Sequence, residues 1–202
     1  MKAKTILLAG LSLFALSVLI SAGPTCGSSA PDFTLTSVDG KTVRLADFKG
    51  KVVVLEWFNM GCPFVQRHYK DGHMQTLQSE YAAKGVVWLS INSTNPKHKD
   101  YRPTEKTVAE MAEHGIKCTA MLPDPDGKVG KAYGAKTTPH MFILDAEGTL
   151  VYQGAIDDDS SGRTGPKAAK NYVRVGLDET LAGKPVTTAT SKQYGCSVKY
   201  AD

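Results

Sequence analysis

Apolar positions along the chain fall into a few distinct patterns. "KVVVLEWF" (Lys51–Phe58) and "GVVWLSIN" (Gly85–Asn92) are nearly continuous apolar runs rich in β-branched residues. Strands buried on both faces of a largely parallel sheet have that composition. Between them, Val65, Tyr69, Leu77 and Tyr81 keep one apolar side at helical spacing, predicting a helix from Pro63 to about Ala83. Pro63 suits the first helical position, where no backbone donor is lost, and Gly72 marks a weak point or kink. "TEKTVAEMAEHG" (Thr104–Gly115) predicts a capped helix closed by glycine. "AMLPDPDG" leads into a short helix ending near "AYGA", and "HMFILDAEGTLVYQG" predicts a hairpin turning at Glu147-Gly148. A final helix covers roughly Lys167 to Leu181. At the front, "APDFTLTSVDGKTVRLADFKG" reads as two short strands around Asp39-Gly40.

The resulting order is β-β, β-α-β-α, a short helix, β-β, α. It predicts one α/β domain over residues 31–183, with a mixed sheet, a parallel βαβ core, a closing antiparallel hairpin and an N-terminal β-hairpin extension. Residues 184–202 form a tail that carries Cys196.

The first 22 residues have their own pattern. "MKAK" is a short basic region, "TILLAGLSLFALSVLI" an apolar core, and "SAG" supplies small residues. This predicts a secretory signal peptide over 1–22, cleaved after Ala22, with 23–30 as a linker. The apolar run is shorter than the ~20 residues a comfortable span prefers, so a membrane anchor is the lesser alternative. A periplasmic or secreted location follows. Such a compartment permits disulfides among Cys26, Cys62, Cys118 and Cys196, and their spacing leaves the pairing open. It is too wide for a structural zinc site. Hydrophobic content of 42% and charged content of 22% are those of a soluble globular protein. With a formal charge of +4 and scattered basic residues, nothing calls for nucleic acid.

Candidate chemistry centres on "EWFNMGCPFVQRHY" (Glu56–Tyr69), where a core strand runs into a Gly-Cys-Pro turn and a helix. A thiol at a helix N-terminus is stabilised as thiolate by unsatisfied N–H groups, which makes Cys62 the candidate nucleophile; the alternative is an inert buried cysteine. Arg67 and His68 can add positive potential. A vicinal partner is missing, because Val65 occupies the position three residues on. Glu56 lies in an otherwise apolar strand, where burial raises a carboxyl pKa and suits it to proton transfer. It could instead point to a solvated sheet end or pair with a lysine. Thr138-Pro139, just before a buried strand, is a natural place for a cis peptide. There the backbone of Thr138, with Pro139 and Pro63, would offer an extended substrate its hydrogen bonds. Pro139 alone is equally compatible with an ordinary turn.

The order strand, Trp-Phe-x-x-x-Cys-Pro, βαβ, Thr-Pro, hairpin and helix resembles the thioredoxin fold. "APDFTL…DGKTVRLADFKGK" and "DPDGKVGKAYGAKTTP" are similar to the alkyl hydroperoxide reductase/thiol-specific antioxidant branch of redoxins. "CPFV", "INS", "AYGA", "TPHMFILDAEGTLVYQGAIDD", "LAGKPV" and "GCSVKY" resemble its peroxiredoxin-like subgroup, whose members keep only the first active-site cysteine. The resemblance implies that Glu56 is the buried acid and Thr138-Pro139 the cis-proline loop. It also makes Cys196 the second recurring cysteine, carried to Cys62 by a flexible tail as a resolving thiol. A structural pairing of Cys196 with Cys118 or Cys26 is the alternative. Cys118 itself reads as a buried residue or a staple end, just before a predicted strand.

Three functions follow. The first is an exported thiol-disulfide oxidoreductase, acting on disulfide-containing proteins or small thiols and recharged by a thiol electron donor, without a cofactor. The second is a thiol peroxidase; against it, Leu55 and Asn59 stand where peroxiredoxins proper carry a proline and a hydroxyl residue. The third is a copper-binding module assembled from Cys62, Met60, His68, His140 and Cys196, although nothing in the spacing fixes a ligand set. "AIDDDSSGR" (Ala155–Arg163) lacks the alternating spacing of a calcium loop and reads as a solvated loop near the sheet end. Oligomeric state is open.

Overall fold

The computed structural model describes residues 23–165 and 169–201; the expected signal peptide and the first residues of the expected last helix lie outside them. The central sheet is built on β3 (Val53–Trp57), all five of whose residues are buried. On one side β3 pairs in parallel with β4 (Val87–Asn92), which pairs in parallel with β5 (Ala120–Pro123). On the other it pairs antiparallel with β7 (His140–Leu144), followed by β8 (Leu150–Gly154). The strand order is therefore β5-β4-β3-β7-β8. A separate hairpin, β1 (Thr34–Thr36) with β2 (Thr42–Arg44), precedes it.

Alternation along β3 sends its side chains to two different layers. Val54 joins Tyr69, Leu77, Tyr81, Trp88 and Leu177 beneath the helices α1 (Pro63–Lys70), α2 (His73–Ala83) and α5 (Tyr172–Leu181). Val53, Leu55 and Trp57 join Phe33, Leu89, Tyr133 and Phe142 beneath the hairpin and α4 (Lys128–Tyr133). A continuous apolar run is what two covered faces require. Each large side chain so buried contributes about 1.5–3 kcal/mol. Glu56 shares the helix-covered face with Val54, deep inside the domain.

Several expectations need correction. The helix from Pro63 to Ala83 is two helices, broken at Asp71-Gly72, because Gly72 takes a left-handed φ of 75° that caps α2. The strand expected just after Cys118, absent from the element order, is β5; it is only four residues long and ends in proline. The helix α3 (Thr104–Glu113) starts from Pro103 with no side-chain cap.

The tail differs most. It runs along the β8 edge, where Gln153 N–H donates to Ala189 O and Ser191 N–H to Gln153 O. It then forms β9 (Cys196–Ser197), antiparallel to β6 (Thr137–Thr138). Beyond that, Val198 N–H donates to Lys136 O and Asn95 N–H to Lys199 O. Tyr200 ends the strap: its hydroxyl donates to Ala135 O (2.7 Å), and its ring lies over Gly127 and Gly130. A Cβ at Gly130 would stand 2.5 Å from the Tyr200 hydroxyl and 2.6 Å from Ser93 Oγ. Gly130→Ala should therefore lose about 1–3 kcal/mol, read by urea unfolding; an unchanged midpoint would show that Tyr200 does not need the glycine.

Candidate active site

Cys62 is the N-cap of α1, in extended conformation (φ −89°, ψ 121°), with Pro63 as the first helical residue. The preceding turn is built by Asn59. Its Oδ1 accepts from Gly61 N–H (2.7 Å), and its Nδ2 donates to Thr94 Oγ1 (2.7 Å) and Asp100 O (3.1 Å). Asn59 thus shapes the loop that presents the thiol. Sequence reasoning noticed it only as a missing hydroxyl; an asparagine two residues before a Gly-Cys pair was the available signal.

The Thr138–Pro139 peptide is cis. The Cys62 thiol donates to Thr138 O at 2.9 Å, and Cys196 stands directly across from Thr138 in the β6–β9 pair. Cys62, Thr138 and Cys196 therefore meet, with Pro63 and Pro139 next to Cys62 and Thr138 along the chain. The backbone of Thr138 is not an open edge, however: the protein's own tail pairs with it. Close approach there depends on Gly195, whose φ is 136° and whose Cβ, if it had one, would fall against Thr138 O. Cys62 is only 3% exposed, while Pro63 is exposed at the surface beside it.

All four cysteines are free thiols, and Cys196 pairs with Thr138 across β6–β9. Cys26 donates to Ala189 O (3.1 Å), and Cys118 packs against the helix-covered core near Ser90 and Glu56. Burial alone would push the Cys62 thiol up. Hydrogen bonds from the Cys196 side chain, the Val65 backbone and the Thr138 side chain outweigh it and hold the pKa below its ordinary value. Burial and the neighbouring Cys62 push Cys196 up to about 12. The pair is thus polarised, with Cys62 ionising first and Cys196 keeping its proton.

Glu56 is fully buried and hydrogen-bonded on all sides. It accepts from Tyr69 (2.9 Å), Trp88 Nε1 (2.8 Å), Ser90 Oγ (3.1 Å) and Gln78 Nε2 (3.5 Å). Burial raises its pKa to about 6 despite these donors. It makes no hydrogen bond to Cys62. The copper ligand set does not assemble either. His68 faces Tyr194 and Asp157, and His140 accepts Lys136 N–H on Nδ1. Among the described residues no group of three or more His, Cys, Asp or Glu side chains is placed to hold a metal. The aspartate loop is largely exposed, as expected, but Asp157 and Asp159 are buried within it, and the Asp159 carboxylate accepts from the backbone of Arg163, Thr164 and Gly165.

A thiol at the mouth of a strand-to-helix turn, facing a cis-proline turn on a β5-β4-β3-β7-β8 sheet, defines a thioredoxin-fold redoxin. The chain belongs to the AhpC/TSA family, whose model matches residues 26–153. It is 31% identical over 124 residues to the thiol-disulfide oxidoreductase ResA of Geobacillus thermodenitrificans, a match covering 61% of this chain and 66% of that relative. The match to ResA of Bacillus subtilis is 27% over 125 residues, 62% of this chain and 64% of the relative. The chain thus spans about two-thirds of the length of these relatives. A solved structure of a hypothetical protein from Sinorhizobium meliloti superimposes with a TM-score of 0.79 at 31% identity, over 90% of this chain and 97% of the other. A putative thiol:disulfide interchange protein DsbE from Chlorobium tepidum superimposes with a TM-score of 0.53 at 26% identity, over 65% and 85%.

Proposed function

We propose that the protein is a thiol-disulfide oxidoreductase of the redoxin type that cycles between a Cys62/Cys196 dithiol and a Cys62–Cys196 disulfide. The observation that carries this reading is the meeting of Cys62, Thr138 O and Cys196 at the cis-proline turn. The Cys62 thiolate attacks one sulfur of a substrate disulfide, and the other sulfur leaves as a thiolate. Cys196 then attacks Cys62 and gives up its proton to the departing substrate sulfur. Two electrons pass to the substrate, and an external thiol donor restores the dithiol. Pro63, Thr138 and Pro139 border the reacting sulfur. Glu56, with a pKa near neutrality, serves as the buried acid that exchanges protons with the site.

The absence of a vicinal cysteine at Val65, together with the terminal "GCSVKY", supports a reading as the peroxiredoxin-like subgroup with one CPFV-type cysteine. A peroxidase reading is weaker: Asn59 is spent on the turn, and the proline and hydroxyl of peroxiredoxins proper are absent at Leu55 and Asn59. The basic and apolar pattern of residues 1–22 supports export, with disulfide proteins of the envelope as substrates.

The test is a non-reducing peptide map after one equivalent of oxidised dithiothreitol or a protein disulfide. A Cys62–Cys196 linked peptide, lost on reduction, is the expected result. Cys196 joined instead to Cys26 or Cys118, or Cys62 left unreacted, would overturn the reading.

A further inference from the structure

Tyr194, two residues before Cys196, is tied to the body of the domain by a polar knot that the reaction above does not use. Its hydroxyl donates to Asp157 Oδ1 (2.5 Å). A phenol has one proton to give, so His68 Nε2, 3.0 Å away, is the donor in its own contact, as is Arg67 Nη2 at 3.3 Å. Arg67 is anchored in turn on Asp159 O (2.8 Å). The Tyr194 ring packs against Phe64 and His68, with centroids 6.0 and 6.1 Å apart. His68 and Asp157 are almost wholly buried. Phe64, Arg67 and His68 all belong to α1, the helix that Cys62 caps. The knot therefore fastens the tail to the active-site helix itself.

With the tail fastened, Cys62 is buried and the cavity beside it measures about 20 Å³, walled by Asn59, Thr94, Thr138, Cys196 and Val198. That volume holds one molecule about the size of water. A larger reagent reaches the sulfur only when β9 lifts from β6.

The geometry points to Tyr194 as a specificity-determining residue: by latching the tail over Cys62 it lets a water- or peroxide-sized molecule reach the sulfur while making every larger substrate wait for the latch to open. This deepens the proposed function and rests on Cys62 being the reacting thiol. The rate at which large reagents react is then the intrinsic rate multiplied by the fraction of open molecules, and any loss of latch energy appears directly in it.

The experiment compares the fully reduced protein with Tyr194→Phe, which keeps the ring and loses the hydroxyl, and with Tyr194→Ala. Alkylation of Cys62 by iodoacetamide is followed by peptide mass mapping, with the half-buried Cys118, remote from the latch, as an internal standard. Oxidation of Cys62 by hydrogen peroxide is followed in parallel. In that step the thiolate attacks one peroxide oxygen, the O–O bond breaks, and hydroxide leaves to become water as the sulfur becomes a sulfenic acid. A hydrogen bond to a carboxylate is worth enough that Tyr194→Phe should speed alkylation of Cys62 about tenfold or more. Tyr194→Ala should speed it further, with Cys118 and the peroxide rate unchanged. Three results would overturn the proposal: no acceleration in either variant, equal acceleration at Cys118, or equal acceleration with peroxide. Because alkylation needs no disulfide chemistry, a missing Cys62–Cys196 bridge in the peptide map would count against the proposed reaction and leave the latch standing.

Discussion

Cys62→Ser is expected to abolish disulfide exchange, by at least about 10³-fold, while leaving the fold in place. Serine is nearly isosteric, and its hydroxyl can still donate to Thr138 O as the thiol does at 2.9 Å. What it lacks is an ionised state near neutral pH, so Cys196 and the Thr138 turn have no anion to stabilise. Cys196→Ser should behave differently. The first attack by Cys62 survives, because α1 and the turn still present the thiolate, but no internal sulfur resolves the product. The protein should then accumulate as a mixed disulfide with its substrate, visible as an added mass that dithiothreitol removes. Turnover by Cys62→Ser at more than a few per cent of wild type would sink the assignment of Cys62 as nucleophile. Failure of Cys196→Ser to trap substrate, with turnover intact, would sink Cys196 as the resolving thiol.

Replacing Glu56 should have the largest effect on stability. Leucine in its place would strand the hydroxyls of Tyr69 and Ser90 and the indole N–H of Trp88, all inside the core. Each orphaned donor costs about 1–3 kcal/mol, so Glu56→Leu should lose at least about 3 kcal/mol in urea unfolding. Glu56→Gln keeps one acceptor and should lose less. The pH dependence separates desolvation from hydrogen bonding. The folded pKa of about 6 lies above the ordinary 4.5, so folding favours the protonated acid. That contribution is full below pH 4.5 and is lost as pH rises through 6, a change of about 2 kcal/mol. The stability gap between wild type and Glu56→Gln should therefore narrow by about that much between pH 4 and pH 7. A gap that stays constant would show that the carboxyl is not perturbed by its burial.

Elements whose own residues carry their pattern were legible in the chain: β3 and β4 as β-branched runs, the β7–β8 hairpin through Glu147-Gly148, and Cys62 through the strand, turn and proline around it. The cis-proline turn and the buried acid at Glu56 were legible once the family resemblance added their positions. β5 was too short to enter the element order, although a strand was expected after Cys118, and Gly72 breaks a helix that periodicity alone would continue. The strap was not legible for a different reason. Only Cys196 and Ser197 pair as strand, and the rest is held by long-range contacts, among them Tyr194 on His68, 126 positions away in the chain, and Tyr200 on Ala135, 65 positions away. No local window contains both halves of such contacts. Two tyrosines flanking a Gly-Cys pair carry no periodicity at all.

The path of the tail along β8 has a bearing on association between copies of the protein. A sheet margin with unpaired N–H and C=O groups invites a strand from another molecule. Here Ala189 and Ser191 occupy the groups of Gln153 on that margin, and on the opposite side Val38 N–H reaches Met121 O of β5. The segment that covers the reactive sulfur thus also guards the sheet against edge-to-edge growth. Shedding the tail to widen access to Cys62 would expose that margin, so a more open relative needs another way to protect it.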